Sequence, residues 1–138
     1  MLYRPVVLYC QMKLRIRENS IRLRLTRSEV TVIRDEGLLQ SFLAFPDGKR
    51  FEYALESSPA SVAPNAQYTD DAMLIRLPES TVREWADSDQ VAIASEQAVD
   101  NDGVLSILVE KDFACLSPRE GEDESDMFAH PEAGQRNC

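Results

Sequence analysis

Lys13, Arg15, Arg17, Arg22 and Arg24 recur at every second position on either side of Asn19-Ser20. At a period of two, alternate residues share one face of a strand. A turn at Asn19-Ser20 therefore folds these cations onto one face of a hairpin, with Leu14, Ile16, Ile21, Leu23 and Leu25 on the other. Guanidinium groups take carboxylate or phosphate in a bidentate grip, so the basic face is a candidate anion-binding site. Pairing about that turn sets Ile16 opposite Leu23, Leu14 opposite Leu25, Arg15 opposite Arg24 and Arg17 opposite Arg22. Like charges placed opposite each other repel, so counter-charge is expected nearby. Glu52 and Glu56 alternate along a later strand, and Glu110 repeats the Glu56 position; these are the candidate counter-charges. An internal lattice of ion pairs is the expected arrangement, and an external small anion or a protein partner is the other solution.

Other chemistry is sparse. His130 is the one histidine, no Gly-rich phosphate loop or Gly-x-Ser-x-Gly elbow occurs, and Cys115 follows a strand with no histidine placed near it. Cys115, Asp126, His130 and Cys138 match no compact zinc spacing. The acidic run Glu120, Glu122, Asp123, Glu124 and Asp126 lacks the order of a calcium loop. Neither a metal nor a cofactor is expected, and a binding role is favoured over catalysis. Three cysteines are too few for a disulfide framework, which points to a cytoplasmic protein with reduced thiols. No apolar run approaches the roughly 20 residues that cross a bilayer. The net charge of −9 argues against nucleic acid as a partner. That charge is uneven, however: residues 1–57 carry ten Lys/Arg against seven Asp/Glu, while residues 58–116 carry three against eleven.

The elements that position these residues follow from local pattern. Thr26-Arg27-Ser28-Glu29 is a capping box that opens a helix carrying Val30 and Ile33, and Gly37 stops it. LLQSFLAF (38–45) reads as a strand, PDGK (46–49) as a turn and FEYALES (51–57) as the returning strand. Ser/Pro/Ala-rich residues 57–66 form a linker. A hairpin turning at Asp70-Asp71 follows, then a helix with Pro78 in its first turn and Val82 and Trp85 on its apolar stripe. QVAIASEQ (90–97) and VLSILVEKDF (104–113) close the pattern about the turn DNDG (100–103).

The two halves match. Ile21 to Leu25 aligns with Met73 to Leu77, Val30 with Val82, Ile33 with Trp85, and Tyr53-Ala54-Leu55-Glu56 with Ile107-Leu108-Val109-Glu110. One short helix cannot cover the apolar face of a sheet, but two copies about a pseudo-two-fold axis can. The expected fold is α+β: a mainly antiparallel sheet, open or barrel-like, from a duplicated strand-strand-helix-strand-strand unit with two helices. The repeats span 12–58 and 66–113 within a single domain, 12–116. Residues 1–11 stand outside it as an extension, with Met12 opening the repeat. Residues 117–138 are expected to form an acidic, flexible tail, too poor in apolar groups to add stability, so that deleting 119–138 should change little.

MKLRIRENSIRLRLT at the start, WADSDQV at the midpoint, LVEKDFACL at the core's end and EDESDMF in the tail resemble a family of short uncharacterised bacterial proteins. The likeness covers residues 12–128 and implies a stand-alone domain without a known activity. The alternating charges are also similar to triphosphate-tunnel enzymes, whose Arg, Lys and Glu line a barrel and hold a divalent metal. That likeness would imply a metal-dependent hydrolase of phosphate esters or polyphosphate, but its Glu-x-Glu-x-Lys signature is replaced here by KLRIRE.

Overall fold

The structure is a computed structural model and describes residues 12–101, 103–113 and 125–129. The elements are β1 (Lys13–Arg17), β2 (Ser20–Leu25), α1 (Arg27–Glu36), β3 (Leu38–Ala44), β4 (Arg50–Ser58), β5 (Asn65–Thr69), β6 (Ala72–Pro78), α2 (Glu79–Ala86), β7 (Ala92–Ala98) and β8 (Val104–Lys111). They form two copies of a β-β-α-β-β unit. The extension 1–11 lies outside the described residues, as does most of the tail.

Strand pairing exchanges the copies. The first sheet runs β1-β2-β8-β7 and the second β3-β4-β6-β5. Each sheet thus takes one hairpin from each repeat, joined in parallel at its centre by β2 with β8 or by β4 with β6. Among the described residues the sheets do not close into a barrel, because each ends in two edge strands that pair with no further strand in a ladder. Every hairpin is antiparallel, so the parallel contacts are confined to the two junctions between repeats.

The register is equivalent in both sheets. Arg24 pairs with Glu110 and Lys13 in the first sheet as Arg76 pairs with Glu56 and Asn65 in the second. The core repeats in the same way: Leu23 with Ile75, Leu25 with Leu77, Ile33 with Trp85 and Leu55 with Val109 are matched pairs, all fully buried. Alternation places these residues on the inner faces, against α1 and α2, in one continuous apolar cluster.

The first hairpin turns one residue earlier than expected. Glu18 takes a left-handed φ of 51°, and the Ser20 hydroxyl donates to the Arg17 carbonyl at 2.7 Å. Arg15 consequently faces Arg22, Ile16 faces Ile21 and Lys13 faces Arg24. The register is displaced by two residues, which leaves every side chain on its expected face. Thr26 and Glu29 form the capping box reciprocally. Gly37 closes α1 at a φ of 81°, a conformation that favours glycine, and its carbonyl accepts from Ser57. Pro78 ends β6 and stands at the N-cap of α2, one position ahead of the expected first turn.

Part of the tail is structural. Ser125–Ala129 lies against the start of α1. The Arg27 amide donates to the Asp126 carbonyl at 2.9 Å, and the Ser28 amide and hydroxyl donate to the Asp126 carboxylate. Phe128 bridges in parallel to Phe113, stacks edge-on against its ring at 5.6 Å and packs on the core. The expectation of a flexible tail that adds no stability did not include this segment, because two apolar residues, Met127 and Phe128, are lost in an acidic average.

Candidate functional site

The outer face of the first sheet carries the cations. β1 contributes Lys13, Arg15 and Arg17, and β2 contributes Ser20, Arg22 and Arg24. β8 adds Ser106, Leu108 and Glu110, and β7 adds Ala92, Ala94 and Glu96. The pleat alone sets this arrangement, since each of these residues is two positions from the next on its own strand.

Counter-charge divides the face into two ends. At the end where β8 finishes, Glu110 holds Arg22 and Arg24 at 3.2 and 3.3 Å. Lys13 reaches the Asp112 carboxylate at 3.1 Å. Both acids are buried, so these pairs sit in a less polar setting than an ordinary surface bridge. At the other end, Arg15 and Arg17 are exposed and have no ion pair among the described residues. They rim an open groove of about 690 Å³ whose floor includes Ser20, Ser106 and Ala94, with Glu96 on the far side.

Glu52 and Glu56 do not serve this hairpin. They lie in the second sheet, where Glu52 takes Arg50 at 3.0 Å and Glu56 takes Arg76 at 2.7 Å. The reason is the exchange of hairpins: the parallel neighbour of β2 is β8, whereas β4 is occupied by β6. Arg76–Glu56 is the pseudo-symmetric counterpart of Arg24–Glu110, so this pair belongs to the repeated unit itself. The other cations do not. Where the first sheet has Arg15, Arg17 and Arg22, the second has Gln67, Thr69 and Leu74 at the equivalent register positions. The same backbone thus forms without them.

Two further groups have roles that the sequence did not reveal. Asp126 caps α1: desolvation pushes its carboxyl up, but the Ser28 and Thr26 hydrogen bonds and the Arg27 charge outweigh this and hold it below the usual carboxylate range. Lys111 is buried, and its ammonium donates to the Ser88 carbonyl at 2.8 Å between the rings of Trp85 and Phe128. Burial pushes its amine down, against the opposing charge of Asp89. Phe128 helps to enclose both charged residues, lying against the Lys111 ammonium and donating its amide to the Asp112 carbonyl. Of the other residues with metal-ligating side chains, Cys115, His130 and Cys138 lie outside the described residues. Among the described residues no group of three metal-ligating side chains converges.

Residues 12–132 match the model of a family of unknown function, DUF7009. The chain belongs to this family. The match takes in both repeats, the basic hairpin and the docked Ser125–Ala129 segment, and it begins where the first repeat begins. No curated protein matches the chain. No helix among the described residues is long and apolar enough to cross a membrane.

Proposed function

We propose that this family member is a cytoplasmic, non-catalytic binding domain that receives an anionic group on the outer face of its first sheet. The observation that carries this reading is the pair Arg15 and Arg17, exposed beside an open groove and without an ion-pair partner among the described residues. Arg15 stands directly opposite Arg22, and Glu110 compensates only the Arg22 side of this like-charge pair, so an anion at Arg15 would relieve the repulsion. The second sheet dispenses with this arrangement, having Gln67 opposite Leu74 at the same place. The ligand class is a carboxylate or phosphate carried by a small molecule or a protein side chain. A strongly acidic total charge disfavours a polyanion as large as nucleic acid.

A hydrolase acting through a divalent metal would need Glu52, Glu56 and Glu110 on one face. They stand in two sheets, and each already has an arginine partner. We therefore place binding ahead of hydrolysis.

Pyrophosphate or citrate should raise the melting temperature in a saturable way, since a ligand of the native state stabilises by mass action. Arg15→Gln with Arg17→Gln should abolish the shift and leave the unliganded melting temperature unchanged or slightly higher. An equal shift in the double variant would sink the assignment of the site.

A further inference from the structure

We infer that the edge of β3, unpaired among the described residues, is a self-association surface, through which two copies of the chain pair antiparallel into one continuous eight-stranded sheet. Exposed edge strands offer unpaired backbone groups to any other strand, and proteins usually guard them. Among the described residues, three of the four edges are guarded. β1 carries Lys13, Arg15 and Arg17, which would meet their own kind in a self-pair. β5 and β7 are locked to each other: the Gln97 amide accepts from the Ala66 amide at 2.7 Å and donates to its carbonyl at 3.1 Å. β3, by contrast, reads LLQSFLA and has no charged residue. Its Leu38, Phe42 and Leu43 are 41, 46 and 55% exposed, as is Phe45 beyond its end at 52%.

The duplication supplies an internal comparison. Phe42 and Leu43 occupy the register positions that Glu96 and Gln97 hold on β7. The same strand thus has a polar guard in one repeat and an apolar edge in the other.

A second copy of this chain is the occupant that fits. A two-fold axis at Ser41 sets Leu39 opposite Leu43 on the inner face. On the outer face it sets Leu38 opposite Ala44 and Gln40 opposite Phe42. No like charges meet. The same axis brings Lys49, at the hairpin tip of one copy, towards Glu36, just before β3 of the other; neither has an ion pair among the described residues. The surface belongs to the second sheet and leaves the Arg15–Arg17 groove on the first sheet open.

Light scattering on the full chain at tens of micromolar should give about twice the 15.6 kDa of one chain. Leu43→Lys should give a monomer with unchanged circular dichroism. Directly opposed residues in an antiparallel pair have Cα atoms about 5 Å apart, within reach of a disulfide. In a chain with Cys10, Cys115 and Cys138 changed to Ser, Ser41→Cys should therefore cross-link on oxidation, whereas Gln67→Cys on β5 should not. A wild-type monomer overturns the proposal, and so does a monomer that dimerises only when residues 1–11 are removed, since those residues would then be the occupant. Should Leu43→Lys fail to fold, the Ser41→Cys chain decides: a specific cross-link supports the β3 pairing, and its absence refutes it.

Discussion

A chain ending at residue 124 should lose about 3 kcal/mol of stability, a drop in melting temperature of roughly 10 °C, while a chain ending at Ala129 should keep its full value. The estimate rests on what Ser125–Ala129 supplies. Asp126 satisfies donors of the first turn of α1, a cap worth about 1 kcal/mol. Phe128 covers the core, and its amide donates to the Asp112 carbonyl at 2.9 Å. Without it Phe113 loses its ring partner and Lys111 loses one wall. The cap is also sensitive to acid. The folded Asp126 carboxyl titrates below its unfolded counterpart. Its contribution is therefore complete above the ordinary carboxylate range of about 4 and is lost as pH falls through the lower folded value. Thermal melts of the full chain and of Asp126→Ala should accordingly converge below that range. Equal stability of the two truncated chains at neutral pH would show that the docked segment contributes nothing.

Glu110→Ala should cost about 2–3 kcal/mol and Glu56→Ala no more than about 1 kcal/mol, although the two glutamates are equivalent in the repeat. The Glu110 side chain is 8% exposed and compensates two arginines, whereas Glu56 is 36% exposed and holds one. Removing Glu110 leaves Arg22 and Arg24 beside Arg15 with no acid to balance them, and it empties a buried position. Removing Glu56 frees a single guanidinium that water can solvate. Urea unfolding of both variants measures the difference, and equal losses would mean that burial and the crowded cations do not matter. Glu110→Ala should also strengthen anion binding in the groove, since Arg22 would then be released towards it.

Much of this architecture was legible in the sequence. Strict alternation fixed which residues of the first hairpin face the core, Thr26 to Glu29 fixed the start of α1, and the matched segments revealed the duplication. Alternation has a period of two, so it could not distinguish the register with Arg15 opposite Arg22 from one displaced by two residues. Nor does it say which hairpins lie side by side. Glu52, Glu56 and Glu110 looked equally able to neutralise the basic face, and only the exchange of hairpins selects Glu110. The docked tail was hidden for a different reason: its contribution comes from one ring and one carboxylate, which composition averages away.

The exchange of hairpins also orders events along a growing chain. β3 to β6, residues 38–78, are contiguous and hold every strand of the second sheet. The first sheet instead joins Ser20–Leu25 to Ser106–Lys111, nearly the whole length of the domain apart. Closing so long a loop is entropically costly and makes folding slow. During synthesis, the arginine hairpin emerges before the other described elements and finds its parallel neighbour last. Until then Leu23 and Leu25 lack the strand that shields them. The segment most exposed to wrong partners is therefore the one whose outer face is most densely charged, and like-charge repulsion would oppose association of nascent chains through it.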